Sequence, residues 1–254
     1  MMERLVAGVG VFGKLLPAPG VDWNDPRYVV GTGFEGDPVV AMHPRRREMA
    51  VVGTRQLALL EAAEGGGKQW TKRMCLEQAV EVPKLVRYSD DGERLLVGGV
   101  DKGKPLVRVF PNGGPEGERW RDVPLAKVFA DAAFVPGGAN VLVAGDGLVR
   151  CWDADGGREL WRAGAEVPAA DVRVAASPDG KYAALVLTPE AVAIHAPGSG
   201  AVLGNLRHPL GGAVTALGFS ADGRLLGVLA GLRFHVWNLA VLEAEGALRG
   251  GSEK

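Results

Sequence analysis

The sequence predicts an all-β protein assembled from repeated four-stranded antiparallel units. Three observations carry that prediction: a turn phrase that returns at a near-constant interval, apolar runs of strand length between the turns, and abundant glycine. Glycine accounts for 38 of the 254 residues, about twice the usual ~7%, and with no three-residue period this marks a chain rich in turns. The turn phrase reads Tyr88-Ser89-Asp90-Asp91-Gly92, Phe134-Val135-Pro136-Gly137-Gly138, Ala176-Ser177-Pro178-Asp179-Gly180 and Phe219-Ser220-Ala221-Asp222-Gly223. A weaker copy stands at Met42-His43-Pro44-Arg45-Arg46, and the closing positions are 46, 46, 42 and 43 residues apart. Asp, Asn, Pro and Gly supply the dihedrals and local hydrogen bonds that reverse a chain.

After each turn comes a run fit for a buried strand: Glu48–Gly53, Arg94–Gly99, Asn140–Gly145, Tyr182–Leu187 and Leu225–Ala230. A short break and an alternating strand follow each: Gln56–Glu61, Leu106–Phe110, Leu148–Asp153, Val192–His195 and Arg233–Asn238. The fourth strand carries Trp70, Trp120 or Trp161, with Leu203 in the equivalent place of the next copy, and a further strand leads into each turn, as in Leu85–Tyr88 and Ala213–Leu217. Four short strands per unit of about 43 residues is the grammar of a β-propeller blade. One such sheet is too small to bury both faces, so neighbours must stack to supply the core. No segment has a sustained helical period with caps, so almost no helix is expected.

The expected architecture is one domain over 1–250 and a tail at 251–254, with five complete blades at about 38–82, 83–127, 128–167, 168–210 and 211–250. An incomplete N-terminal blade occupies 2–37, because Met2–Gly8 aligns with Gly92–Gly98, a second strand with no first strand ahead of it. Leu242–Leu248 is expected to complete the fourth strand of the last blade. Three explanations then stand for the missing strand: imperfect closure, a strand from a partner, or a chain that is part of a longer product.

Composition sets the class. Apolar residues make up 47%, enough for a large core, and no run reaches the about 18–20 apolar residues of a membrane helix. Thirty acids against 29 Lys and Arg leave a net charge of −1, which argues against a nucleic-acid binder held by phosphate contacts. Cys75 and Cys151 lie far apart, so neither a disulfide framework nor a zinc site is expected, and a reducing, cytoplasmic setting is the simpler reading. Glu3 and Lys14 around the first apolar run argue against a secretory leader.

The units resemble the WD40-repeat family over about residues 38–250. Trp152-Asp153 and Trp237-Asn238 close third strands, and Ser-x-Asp-Gly turns begin at residues 89, 177 and 220. The copies depart from the family: no Gly-His pair opens a blade, and other third strands end in Leu60-Glu61, Phe110-Pro111 and His195-Ala196. The resemblance implies a propeller acting as a non-enzymatic protein-interaction scaffold or adaptor, with one or more proteins as partners and no cofactor. Two alternatives remain open. Trp152–Trp161 and Glu61–Trp70 are similar to the phrase of quinoprotein-like propellers, which implies a cofactor or ligand in the channel. Asp37–Pro44 and His208–Ser220 are similar to the Sec12 type, which implies guanine-nucleotide exchange, although that family's glycine-rich loop and membrane anchor are missing.

Candidate chemistry is thin. Gly8-Val9-Gly10-Val11-Phe12-Gly13 fits a dinucleotide fingerprint, but Pro17 and Pro19 would stop the helix that must receive the pyrophosphate. His43, His195, His208 and His235 are scattered along the chain without metal-ligand spacing. Ser89, Ser177 and Ser220 sit in turns, and no Gly-x-Ser-x-Gly elbow exists. Cys151 reads as a small buried hydrophobe, and Arg45-Arg46-Arg47 as a solvated tip. No catalytic, cofactor or metal residue is assigned. Partner contacts are expected in the loops of one end, those joining second to third strands and one unit to the next: Arg55, Asp101, Lys102, Lys104, Asp146, Glu190 and His208.

Overall fold

The computed structural model describes residues 37–62, 70–77, 80–111 and 120–248. These fold as all-β, in five antiparallel meanders that follow one another along the chain. Sheet 1 holds β1 (Val39–Met42), β2 (Glu48–Gly53), β3 (Gln56–Ala62) and β4 (Trp70–Glu77); sheet 2 holds β5 (Val82–Tyr88), β6 (Arg94–Asp101), β7 (Lys104–Pro111) and β8 (Arg121–Pro124). Sheet 3 holds β9 (Phe129–Phe134), β10 (Asn140–Gly145), β11 (Leu148–Asp153) and β12 (Arg158–Gly164); sheet 4 holds β13 (Val174–Ala176), β14 (Ala183–Thr188), β15 (Ala191–His195) and β16 (Val202–Arg207). Sheet 5 has three strands, β17 (Val214–Phe219), β18 (Leu225–Ala230) and β19 (Arg233–Asn238).

Several second and third strands coincide with the apolar runs of the sequence, β2, β10, β11, β18 and β19 to the residue. The last expected strand does not form. Leu239–Ala244 is a helix, α1, capped by Asn238 Oδ1, which accepts from Val241 N. The period of its apolar residues decides the outcome: Leu239 and Leu242 fall on one helical face, and both join Leu248 in the core between sheets 4 and 5. Ala247 and Leu248 lie so close over Gly204 of β16 that a Cβ there would sit 2.8 Å from the Leu248 side chain. The unit expected at 2–37 lies outside the described residues except for Asp37.

Each sheet alternates side chains between two faces, and successive sheets share a core. Leu57 and Leu59 of β3 meet Leu95, Val97 and Phe110; Val107 and Val109 of β7 meet Phe134, Val141 and Val143; Val149 and Cys151 of β11 meet Ala183 and Leu185. The first strand of each sheet packs on the first strand of the next, from β1 through β5, β9 and β13 to β17. Asp131 ties three of them together. Its Oδ1 accepts from Arg87 Nη2 at 3.1 Å and its Oδ2 from Val174 N at 3.2 Å.

The first-to-second turns share one construction in sheets 2, 4 and 5. In sheet 2, Ser89 Oγ donates to Asp91 Oδ1 at 2.5 Å, Arg94 N donates back to Ser89 Oγ at 3.0 Å, and Gly92 N closes on Ser89 O. Ser177-Asp179 and Ser220-Asp222 repeat it. In sheet 1 the imidazole stands in: His43 Nδ1 accepts from Arg45 N at 3.0 Å and Arg46 N at 2.9 Å. Each turn also leans on the one before, as when Gly137 N donates to Asp90 Oδ1 and Arg94 Nη1 to Gly138 O.

Trp161 acts between sheets 3 and 4, whereas Trp120 packs on Phe110 and Arg108 within sheet 2. Trp161 Nε1 donates to Pro197 O at 2.7 Å, and its ring stacks on His195 with centroids 5.8 Å apart. Trp120 is 41% exposed and lies 4.9 Å from the Arg108 guanidinium.

Turn glycines are predicted to differ in cost. Gly223 has φ +71° and a Cβ there would make only ordinary contact, 3.6 Å from the Asp179 carboxylate, whereas Gly92 has φ +79° and a Cβ would meet the buried His43 ring at 2.2 Å. Gly223→Ala should cost about 1–2 kcal/mol, the left-handed penalty alone. Gly92→Ala should cost roughly 2–5 kcal/mol, because overpacking adds to it. Urea unfolding midpoints check the order, and equal losses would show that the turns do not stack.

Candidate functional site

The second-to-third hairpins and the segments between sheets lie at one end of the strands and bond to one another there. Arg55 N donates to Val80 O, Leu125 N to Pro105 O, Ala165 N to Gly147 O, Glu166 N to Leu187 O and His208 N to Glu190 O. This end gathers the residues expected from the sequence to contact a partner, in three local groups.

The first group is built on Glu81, which the sequence reading did not single out. Its Oε1 accepts from Arg55 Nη2 at 2.6 Å and its Oε2 from Lys102 N at 3.0 Å, so one carboxylate joins the hairpins of sheets 1 and 2. Arg55 at φ 60° and Lys102 at φ 50° hold left-handed backbone, which only a tight hairpin or a constraint imposes on such residues. Lys102-Gly103 has φ > 0 at both positions, the requirement of a type I′ hairpin. The side chains of Lys102 and Lys104 project outward from it, both residues being exposed. Asp101 turns inward instead, accepting from buried Arg108 Nη2 at 3.3 Å; Asp122 takes the same guanidinium in a two-pronged contact of 2.7 and 2.9 Å.

The second group is Asp146, again at φ 57° beside Gly147. Its carboxylate accepts from Ala126 N at 2.7 Å, Lys127 N at 2.8 Å and Val128 N at 2.9 Å. Burial opposes ionisation, but the three amides together with Arg150 outweigh it and hold the carboxyl below its ordinary value. Arg150 is suspended between Asp146 at 3.8 Å and Glu159 at 3.4 Å. Asp146 therefore fixes the path of the chain between sheets 2 and 3.

The third group joins sheets 4 and 5. His208 is buried, and among the described residues neither of its ring nitrogens has a hydrogen-bond partner. Burial, reinforced by His235 and opposed by Glu190, holds its pKa below the usual imidazole value. Next to it, Leu210, Gly212, Thr215, Ala230, Leu232 and Arg233 line a surface depression of about 690 Å³.

Among the described residues, Cys151 and His195 lie buried elsewhere in the fold. Cys151 is a free, buried thiol pushed up to about 12 by burial and then by Asp153, so thiolate chemistry is disfavoured near neutral pH. His195 Nδ1 lies 2.9 Å from Gly200 O. Among the described residues no three His, Cys, Asp or Glu side chains gather as a metal set, and no helix is long and apolar enough to cross a membrane.

Two predictions follow from this geometry. Asp146→Asn, which tolerates φ > 0, should cost about 1–2 kcal/mol by weakening charge-assisted bonds to neutral ones; an unchanged urea midpoint would remove Asp146 from this role. For His208 the folded pKa lies below the ordinary ~6.5 of an unfolded chain. Its contribution is therefore present above that value and is lost as pH falls through the depressed folded pKa. The thermal midpoint should drop as pH falls from about 7.5 toward 5, and His208→Leu should flatten part of that slope. A slope identical in the variant would assign the acid sensitivity to other groups.

In comparison with known proteins, the chain matches no family model and no curated protein.

Proposed function

We propose that the chain is a β-propeller of WD40 type that serves as a non-enzymatic protein-interaction scaffold or adaptor in the cytoplasm. The observation that carries this reading is the hairpin end of the sheets, where side chains spend their hydrogen bonds on fixing loops and leave charged tips outside. Glu81, Asp101 and Asp146 hold backbone and neighbouring cations in place, which removes them from acid–base work and makes a preorganised platform. A platform ordered before binding loses less entropy on association than mobile loops do. First strands packed on first strands, with meanders following in chain order, support the propeller reading. The scarcity of cysteine supports the cytoplasm.

The surface offered to a partner centres on Lys102 and Lys104, with Arg55 beside them through Glu81. These exposed cations favour an acidic face on the partner. Lys102→Asn with Lys104→Glu is the test, Asn being chosen because it accepts left-handed backbone. Proteins crosslinked and retained by the wild-type chain should be lost at least roughly tenfold in the variant, about 1.4 kcal/mol, at an unchanged thermal midpoint. Equal retention by both, or turnover of a small substrate by purified protein, would sink the scaffold reading.

A further inference from the structure

The turn between β1 and β2 is closed by a group that titrates near neutral pH, unlike its counterparts in sheets 2, 4 and 5. In those three turns a serine hydroxyl donates to an aspartate two residues on: Ser89 to Asp91 at 2.5 Å, Ser177 to Asp179 at 2.6 Å and Ser220 to Asp222 at 2.6 Å. Asp91 and Asp222 are held below the ordinary carboxylate range, first by the serine hydroxyl and then by a backbone amide. These two caps keep their charge state throughout about pH 5–8. In sheet 1 the acceptor is His43 Nδ1, which takes Arg45 N at 3.0 Å and Arg46 N at 2.9 Å. A neutral imidazole has one accepting nitrogen, whereas an imidazolium donates from both. Protonation of His43 would therefore set a ring N–H against two backbone N–H groups.

The same ring is wedged between two sheets. His43 is 5% exposed, its centroid lies 5.0 Å from the Tyr88 ring of β5, and it occupies the space beside Gly92 that a side chain there would need. Its neighbour Arg46 reaches across to Glu93 of the sheet-2 turn at 3.0 Å. The charged groups facing the ring are Glu48 of β2, Arg46 of its own turn and Glu93 of the sheet-2 turn. Tyr88, whose hydroxyl donates to Glu48 Oε1 at 2.9 Å, is the remaining titratable neighbour. Burial, aided by Arg46, outweighs the two glutamates and the Gly92 backbone and holds the imidazole below its ordinary value. We propose that His43 is a pH-operated latch: the neutral ring fastens the β1–β2 turn onto sheet 2, and the protonated ring releases it and frees the exposed Arg45-Arg46-Arg47 tip. With the folded value below the ordinary ~6.5 of an open chain, the latch is closed above that pH and opens as pH falls through the depressed folded value. The latch is independent of the scaffold reading, which rests on the hairpin end of the sheets.

The test uses the full-length chain and residue-resolved amide hydrogen exchange, corrected for the intrinsic pH dependence of the exchange chemistry. Protection of the Arg45 and Arg46 amides should fall roughly five- to thirtyfold between about pH 7.5 and 5, the ceiling being set by an open ring that titrates near ~6.5. The amides of Arg94, Tyr182 and Leu225, which donate to Ser89, Ser177 and Ser220, should change by less than about twofold, because opening of one turn is local. His43→Asn keeps an acceptor that does not titrate, so it should retain protection with no pH dependence, and His43→Ala should leave the turn open at every pH. A flat wild-type profile, or the same pH dependence in His43→Asn, would overturn the proposal. A fall shared equally by the three serine turns would assign the effect to global acid unfolding and overturn it too. Should the variants fail to fold, the wild-type chain gives a second readout by NMR titration. A His43 ring and Arg45 and Arg46 amides that shift with one common midpoint below about 6.5 support the latch, and a ring that titrates without moving those amides refutes it.

Discussion

Burial of one sheet face against the next is the interaction on which the rest of this molecule depends. An isolated four-stranded meander has two faces and can hide neither alone. Stacking settles this: between sheets 3 and 4 alone, Leu142, Val149, Cys151, Val174 and Leu185 are wholly buried. At about 1.5–3 kcal/mol for each large aliphatic side chain, these contacts outweigh the surface ion pairs such as Arg46–Glu93, worth about 0–1 kcal/mol each. The ion pairs set register and orientation; the apolar faces set the fold.

Once the sheets must stack, their ends must match, and the polar groups perform that task differently at the two ends. At the turn end, Ser-x-Asp-Gly loops satisfy their own backbone and lean on their predecessors, with His43 substituting for the serine in sheet 1. At the hairpin end, single carboxylates do the joining: Glu81 across two hairpins, and Asp146 on three successive amides. Asp131 clamps the first strands of sheets 2, 3 and 4 from within. Each of these acids is committed to donors, and Lys102 and Lys104 are left as exposed charges at the hairpin end.

Sheet 5 shows what happens where the stacking rule is relaxed. Its inner face is sealed by sheet 4 and by α1, whose Leu239 and Leu242 enter the same core as Leu203 and Ile194. Tyr182 and Lys181 of sheet 4 reach Glu243 on that helix, so the end of the described chain is fastened backward onto sheet 4 and does not extend sheet 5. The outward face keeps the alternation of a covered strand, with Phe234 and Val236 where earlier sheets carry buried residues.

Strand positions were legible in the sequence because they follow from local chemistry. A period of two in the apolar residues and turns built from Ser, Asp, Pro and Gly act over a few residues, so β10, β11 and β18 could be read to the residue. The loops that carry the candidate contacts were legible for the same reason. What those loops do was not: that Asp146 binds the amides of 126–128, that Glu81 unites Arg55 with Lys102, and that Asp101 serves Arg108 depend on pairs far apart in the chain. The helix at 239–244 belongs with them, since either an extended or a helical form could bury its leucines until sheet 4 offered a groove beside Gly204. The sequence by itself determined the repeat, the strands and their two faces, because these are set by side-chain alternation along the chain. Only the tertiary structure decided which acids pair with which loops and which face stays open, because those are set by what the neighbouring sheet brings within reach.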